Sequence, residues 1–370
     1  MAATVLNVVP VKRNKTFIPI AKTYDFIVTI PEKGRIEFRA TAQDGSGHSS
    51  AYLGKGEIIP APEVARPDKI GMMIQMAKMD MRMGAPAMKF NPSDEDPYEL
   101  MNNWGMQMEM DHSKMDHKEN SSMDGDSMDN DKANSPDQMS GMNMFDEYNY
   151  DYLKSTEKTD FVKDKPVKEV LLNLTGNMWR YIWSMNGVPL SEADQIKIEK
   201  GEVTRITLNN LTMMHHPMHL HGHFFRVVNK NGEYSPLKHT VNVPPMQKVV
   251  IEFDANESGD WFFHCHVLYH MMSGMARIYS YDTPRDPRLK GYSIRNLRNE
   301  GKHFYTWGMA DVASHMTEVN LVSSNTRNQF NLNGEYGYNQ NMEAEFTYER
   351  YLYDYFRVFG GVNVENEIDK

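Results

Sequence analysis

Two short segments of this chain combine residue types that bind soft transition metals. The candidate ligands are one thiol, one thioether and six imidazoles: Cys265, Met275, His216, His219, His221, His264, His266 and His270. A thiolate, two imidazoles and a weak axial thioether form the ligand set of a blue-copper site. Cys265 is the only cysteine of the chain, so it cannot take part in an internal disulfide. The pattern predicts copper redox chemistry.

Alternation along a β-strand sorts these ligands into two groups. Successive side chains of a strand point to opposite faces, so Cys265 points away from its neighbours His264 and His266. In the upstream segment, His219 and His221 share a face, and His216 has the opposite parity. If the two segments pair as neighbouring strands, one group forms a trigonal site with an axial thioether: His216, Cys265, His270 and Met275. The other group offers four imidazoles to further copper ions: His219, His221, His264 and His266.

Two other kinds of site also use cysteine and histidine. Zinc prefers a closed tetrahedral set, or three ligands and a water molecule, and two groups of different softness fit it poorly. A Cys-His nucleophile pair would use Cys265 and leave most of the histidines without a role. Ligand type and softness therefore favour copper.

Four stretches of sequence resemble one protein family: Leu172–Trp183 (LNLTGNMWRYIW), Met213–Gly222 (MMHHPMHLHG), Lys238–Pro245 (KHTVNVPP) and Trp261–His270 (WFFHCHVLYH). They look like the C-terminal cupredoxin domain of multicopper oxidases, in particular bacterial copper-resistance oxidases of the CopA type. The resemblance covers about residues 165–282. It implies an all-β, cupredoxin-like Greek-key sandwich over residues 161–285 that binds copper.

The resemblance also assigns the ligands by type. It implies type 1 copper at the group that contains Cys265, a type 2 ligand at His219, and type 3 ligands at His221, His264 and His266. The peptide units on either side of Cys265 would carry electrons between the sites, which makes Cys265, His264 and His266 the candidate catalytic residues. Three further histidines have no ligand counterpart in the family pattern and are expected to lie around the site or at the surface: His215, His223 and His239.

Residues 1–60 resemble the end of the middle cupredoxin domain of the same enzymes, through Ala21–Val28 and Ala40–Gly47. Lys22 stands where that family usually carries an acidic residue. The resemblance also implies four more histidines from a first cupredoxin domain, arranged as two His-x-His pairs. The remaining histidines of this chain show no such spacing. We therefore expect a fragment or a split gene, which needs a first domain in cis or in trans.

Composition limits the other function classes. The 370 residues suffice for two or three domains, and the net charge of −10 with a pI near 5.8 offers no basic patch for nucleic acid. The first residues lack the features of a signal peptide, and no apolar run is long enough for a membrane helix. The family resemblance implies a periplasmic location.

Residues 61–160 differ sharply in composition. Seventeen of the 30 methionines lie between Met72 and Met144, mixed with Asp, Asn, Ser and Gly. Such a segment buries too little apolar surface to offset the entropy of ordering, which predicts a mostly disordered linker. There are two simpler interpretations of this segment: a linker without a binding role, or a helix over residues 72–83 that packs through a stripe of methionines. Because thioethers favour Cu(I), a copper-gathering role is the preferred one.

Residues 300–370 alternate apolar and polar residues in segments of about ten, which predicts antiparallel β-hairpins. The stretches Gly334–Tyr338 and Tyr348–Tyr351 resemble the start of copper-resistance outer-membrane proteins of the CopB type. The tract is thus expected to be part of an outer-membrane barrel and to associate with that membrane.

The leading hypothesis is a copper-dependent oxidoreductase in copper resistance. It would oxidise Cu(I) or a small phenol by one electron at a time and reduce dioxygen to water. The alternative is a copper-binding or sequestration protein without turnover, because the first cupredoxin domain is not in this sequence.

Overall fold

The computed structural model describes residues 2–3, 7–68, 70–71, 86–89, 150–161, 164–284 and 286–366. The predicted methionine-rich linker of residues 61–160 lies largely outside these ranges, as does the helix considered for residues 72–83. Within the described part of the chain, no helix is long and apolar enough to span a membrane.

The N-terminal segment forms short strands: β1 (Ala2–Ala3), β2 (Tyr24–Asp25), β3 (Gly34–Thr41), β4 (His48–Lys55) and β5 (Ile58–Ile59). β1 pairs with β2, and a three-stranded sheet has the order β4-β3-β5. The alternating run Ile36–Thr41 lies within β3. The similar run Tyr24–Ile30 forms a strand only as far as Asp25, because residues 26–30 pair with no strand among the described residues, and Ile27 is 88% exposed.

The next region contains eleven strands: β6 (Val167–Asn177), β7 (Ile182–Met185), β8 (Ile196–Ile198), β9 (Val203–Asn210), β10 (His216–Leu220), β11 (Phe225–Val227), β12 (Leu237–Lys238), β13 (Thr240–Val243), β14 (Lys248–Asp254), β15 (Asp260–Cys265) and β16 (Ala276–Tyr281). One sheet has the order β12-β11-β14-β9-β6-β7, and the other the order β13-β10-β15-β16-β8. Helix α1 (Leu268–Met272) joins β15 to β16, and a short 3-10 helix (Gly232–Tyr234) precedes β12.

Inward-facing side chains from the two sheets share one core. Leu208 and Phe253 from the six-stranded sheet lie in the same buried cluster as Phe263 and Tyr279 from the five-stranded sheet. Alternate residues along these strands are apolar, so each sheet buries one face against the other. The predicted β-sandwich is confirmed.

The pairing of β10 with β15 positions the candidate ligands. The two strands are antiparallel neighbours, with Met218 opposite Cys265 and His219 opposite His264. This confirms the predicted pairing of the two histidine-bearing segments. Because both strands alternate, the two ligand groups must emerge on opposite faces of one sheet.

Two described stretches of the predicted linker pack on this sandwich. Tyr150 and Leu153 are buried in its core, together with Val8 from the N-terminal segment. Ala87 and Met88 are also fully buried, in a second cluster beside β7. The predicted disorder does not extend to these residues, because they carry apolar side chains that reach a core.

After a 3-10 helix (Pro287–Leu289) and helix α2 (Ile294–Glu300), the chain forms a five-stranded antiparallel sheet of sequential strands: β17 (Tyr305–Val312), β18 (Met316–Ser324), β19 (Asn328–Gly337), β20 (Met342–Tyr353) and β21 (Phe356–Glu365). Asp354 ties this sheet to the rest of the molecule, since its carboxylate accepts hydrogen bonds from the backbone N–H groups of Ala87 and Met88. Arg327 adds an ion pair with Glu192 at 2.7 Å.

Candidate metal centre

Three ligand atoms meet on the inner side of β10 and β15. The Sγ of Cys265 lies 3.7 Å from His216 Nδ1 and 3.6 Å from His270 Nδ1, and the two nitrogens are 3.2 Å apart. All three residues are buried. A point equidistant from atoms at these separations lies about 2 Å from each, which is the length of a first-row metal–ligand bond. The triangle therefore fits one metal ion.

Hydrogen bonds fix which nitrogen of His216 faces this triangle. The hydroxyl of Thr212 donates to Asn210 Oδ1 at 2.9 Å, so its oxygen is free to accept the Nε2–H of His216 at 2.7 Å. That arrangement assigns the proton to Nε2 and leaves the Nδ1 lone pair directed at Cys265. Asn210 is fully buried, and its amide is held by the carbonyls of Val243 and Pro244.

An aromatic ring fixes the second imidazole. Trp183 stacks on His270 with ring centroids 3.9 Å apart and an interplanar angle of 27°. Trp183 is 1% exposed, and it can lie there because its cross-strand partner is Gly176, which has no side chain. A methyl group at that position would overlap the indole ring.

The loop after Cys265 returns the predicted axial ligand to the same place. Helix α1 carries His270, and the N–H of Met275 donates to the carbonyl of His270 at 2.9 Å. The N–H of Cys265 in turn donates to the carbonyl of Met275 at 3.0 Å. Met275 is fully buried in the core cluster that includes Cys265. The backbone thus brings together all four residues predicted for the first group.

Burial sets the protonation of these ligands. Desolvation, followed by the nearby His270 and His215, holds the pKa of His216 well below its usual value, and desolvation lowers that of His270 to about 4. Both imidazoles are therefore neutral at pH 7, as a metal ligand must be. Desolvation also raises the pKa of the Cys265 thiol to about 12. A thiolate at this position needs a cation beside it.

The second group of histidines gathers on the opposite face of the same strands. The centroids of His219 and His221 are 4.8 Å apart, those of His221 and His264 are 5.2 Å apart, and those of His264 and His266 are 5.4 Å apart. His219 lies 5.7 Å from His264 and 5.8 Å from His266. The structure thus brings together all four histidines predicted for this group.

Backbone carbonyls orient two of these rings. His219 donates from Nδ1 to the carbonyl of His239 at 2.7 Å, and His264 donates from Nδ1 to the carbonyl of Cys265 at 2.9 Å. The Nε2 of His264 is then unprotonated, and it lies 3.1 Å from the Nε2 of His221. Desolvation lowers the pKa of His264 to about 4 and also lowers the pKa of His221, so burial favours the neutral form of both rings. Neutral imidazole nitrogens are metal ligands, so this pair suits a cation beside it.

His223 is hydrogen-bonded to the backbone of this group. Its Nδ1–H donates to the carbonyl of His221 at 2.9 Å, and its Nε2 accepts the hydroxyl of Tyr281 at 2.7 Å. His215 instead bonds to the side-chain amide of Asn242 at 2.9 Å. These two residues and His239 lie around the ligand groups, as the sequence predicted.

The donor types fit copper at both positions. One buried thiolate with two imidazoles and a thioether is a soft set, and four imidazoles suit copper ions of either oxidation state. Cys265 belongs to the first group, and its immediate neighbours belong to the second. The two sites are thus joined by single peptide units of β15.

Comparison with known proteins agrees with this chemistry. The multicopper oxidase family matches residues 164–284. Over 113 residues the chain is 44% identical to copper resistance protein A of Escherichia coli, which is 30% of this chain and 19% of that protein. It is 37% identical over 114 residues to the multicopper oxidase MmcO of Mycobacterium tuberculosis, covering 31% of this chain and 23% of that protein. Among solved structures, McoA multicopper oxidase of Aquifex aeolicus aligns with 26% identity and a TM-score of 0.30, over 35% of this chain and 32% of that one.

Residues 164–284 are therefore a multicopper oxidase domain, a class whose cofactor is copper. Within that class, the domain is similar to bacterial copper resistance protein A. The chain spans about a fifth of the length of these curated relatives.

Sequence reasoning missed the residues that orient the ligands. Thr212 and Trp183 carry no ligand chemistry, and only the folded chain places them against His216 and His270. The one available signal was Gly176, because a glycine inside a strand often marks the close approach of another group.

Replacing Gly176 with Ala should move the indole of Trp183 off His270. Because the added methyl group overlaps the ring, we expect the free energy of unfolding to fall by about 1–3 kcal/mol. Urea unfolding followed by tryptophan emission measures both effects. Gly334 to Ala in β19 is the matched control, since nothing lies within 4 Å of its added methyl group. Equal stability of the two variants would contradict this packing argument.

Proposed function

We propose that this chain supplies the thiolate-centre domain of a copper-dependent oxidase that acts in copper resistance in the periplasm. The observation that supports the proposal is the position of Cys265 on β15 between two members of the imidazole group. His216, Cys265, His270 and Met275 would hold one copper, and His219, His221, His264 and His266 would contribute to the others. Copper bound at these groups would supply one-electron transfer, and with four further histidines it would supply the reduction of dioxygen to water.

The residues of the chain have separate tasks in this proposal. Thr212 keeps the lone pair of His216 directed inward, and Trp183 holds His270 and excludes water from its face. The peptide units on either side of Cys265 would connect the thiolate to His264 and His266 for electron transfer once copper is bound. The burial that raises the thiol pKa also removes competing water ligands.

The reductant would enter near Trp183. Tyr181 lies beside Trp183 with ring centroids 6.4 Å apart, and Tyr269 lies beside Tyr181, also at 6.4 Å. Tyr181 is 45% exposed and Tyr269 is 71% exposed, so the aromatic group connects the surface to His270. Cu(I) is the favoured substrate, because the methionine-rich segment offers soft ligands, and a small phenol is the neighbouring candidate.

Reduction of dioxygen needs more ligands than this domain brings together. The family pattern adds four histidines from a first cupredoxin domain, which would come in cis or in trans. Without them, the alternative function is copper binding or sequestration without turnover, at the thiolate group and the methionine-rich segment. The four imidazoles on the outer face favour the oxidase, because a simple electron carrier needs only one ligand group.

The C-terminal sheet supports an additional association with a membrane. From β18 to β21 the register places most polar residues on one face and most apolar residues on the other. The apolar face includes these exposed side chains: Val319, Leu321, Phe330, Leu332, Phe346, Tyr348, Val362 and Val364. An exposed apolar surface of four strands would be covered by lipid, as on the outer side of an outer-membrane protein.

Replacing Cys265 with Ser should abolish intense visible absorption of the copper-loaded protein, because a hydroxyl cannot replace thiolate as a charge-transfer donor. The fold should persist, since the change is nearly isosteric in a core that Phe263 and Tyr279 also fill. Absorption and circular dichroism spectra test both statements. The control is His48 to Ala in β4, an exposed histidine outside both groups. An intense band in the Ser variant would refute the thiolate assignment.

The oxidase and the sequestration protein differ in bound copper. For the oxidase we expect several copper ions per chain once the first cupredoxin domain is added, together with oxygen uptake on Cu(I). Metal analysis, visible absorption and an oxygen electrode measure these quantities. One blue copper per domain and no oxygen uptake in that reconstituted protein would support sequestration instead.

Membrane association predicts a difference between the two faces of the C-terminal sheet. Leu321 and Leu332 are opposite each other on the apolar face, and Asn320 and Asn333 are the neighbouring pair on the polar face. L321D/L332D should bind phosphatidylcholine vesicles at least about tenfold more weakly, whereas N320D/N333D should bind like the unchanged chain. Vesicle flotation measures binding. Equal binding of the two variants would exclude the apolar face as the lipid contact.

A further inference from the structure

Two buried lysines lie outside the copper ligand groups. Lys22 is 7% exposed and Lys238 is 1% exposed. Neither Nζ atom has a hydrogen-bond partner among the described residues, and both atoms are shielded from solvent. Lysine is almost never fully buried unless it is paired. Two such residues in one place need an explanation.

Both amines lie against the same aromatic group. Lys22 Nζ is 3.7 Å from the ring centroid of Tyr150 and 4.9 Å from that of Tyr24, and Lys238 Nζ is 4.7 Å from the centroid of Tyr24. The shared ring places the two nitrogens within about 10 Å of each other, the screening length at 0.1 M salt. Burial, followed by repulsion from Lys238, lowers the pKa of Lys22, and burial lowers the pKa of Lys238 to about 7.

The backbone around Lys22 and Lys238 brings the two amines together. Lys22 follows a tight turn in which its N–H donates to the carbonyl of Pro19 at 3.1 Å, and Ala21 adopts φ 63°. A non-glycine residue with positive φ is strained, so the packing that follows must hold it in place. Lys238 lies on β12, opposite Phe225. The two amines therefore come from separate parts of the chain and converge on Tyr24.

The aromatic rings alone do not satisfy these amines. A cation–π contact stabilises an ammonium group but leaves its three N–H donors without acceptors. The hydroxyl of Tyr24 is directed to that of Tyr152 at 3.0 Å, and the hydroxyl of Tyr150 accepts the N–H of Asn242 at 2.7 Å. The donors of both lysines thus remain available to a further group. An anion would satisfy the donors and cancel the repulsion.

We propose that Lys22 and Lys238 form a binding site for a carboxylate. The ligand would be a small free carboxylate such as formate. It would be bound between the two amines and would join the N-terminal segment to β12. The site is independent of copper and of the proposed oxidase activity.

The test is thermal unfolding of the full copper-free chain at pH 7, with sodium formate exchanged for sodium fluoride at constant ionic strength. Fluoride is the reference because its strong hydration opposes entry into a buried site. Formate at about 100 times its dissociation constant should raise Tm by several degrees, and the rise should saturate. Saturation distinguishes binding from a general salt effect.

Variants identify the residues that bind formate. In Lys22 to Glu the new carboxylate should pair with Lys238, so that the variant melts higher than Lys22 to Met and no longer responds to formate. Lys238 to Met should also lose the response. Lys290 to Glu, an exposed change of the same charge, should keep it.

The proposal fails if formate does not raise the Tm of the unchanged chain. It also fails if Lys22 to Glu melts no higher than Lys22 to Met, because that result would mean that Lys238 gains nothing from a neighbouring carboxylate. A response that persists in Lys238 to Met would place the anion elsewhere.

Discussion

The antiparallel pairing of β10 with β15 is the constraint on which the site depends. Alternation along β15 forces Cys265 inward and its two neighbouring histidines outward, and the register brings His219 opposite His264. A shift of one residue would place each side chain on the wrong face. The sandwich core fixes that register, because Met218, Leu220 and Phe263 must be buried on the same side as the thiol. Packing energy of ordinary apolar residues thus determines the geometry of two metal-binding groups.

The same burial leaves the polar atoms of both groups incomplete. The thiol at Cys265 is protonated in the absence of a cation, and the neutral Nε2 atoms of His221 and His264 face each other. The ring N–H groups of His216, His219 and His264 that face away from the sites already have acceptors, which are Thr212 and backbone carbonyls. The ring nitrogens and the thiol that have no such partner face the positions where metal ions would lie. Orientation is therefore established by the protein before any ion arrives.

The fold class and the ligand groups could be predicted from the sequence, because they depend on periodicity and residue type. The strands around Cys265 and His219 alternate clearly, and the pairing of the two segments followed from parity. Contacts between distant segments were not predictable in this way. The stacking of Trp183 on His270 and the burial of Lys22 depend on tertiary packing that no local pattern encodes. The short strand at Tyr24 shows the same limit, since a β-prone run becomes a strand only where a partner is available.

The order of the C-terminal sheet has a consequence for handling this protein. β17 and β21 are its outermost strands among the described residues, and every residue of both is exposed. Each therefore presents a row of unused backbone donors and acceptors, beside an apolar surface. Exposed edge strands pair with strands of other molecules, so concentrated preparations without detergent should form polymers through edge-to-edge strand pairing.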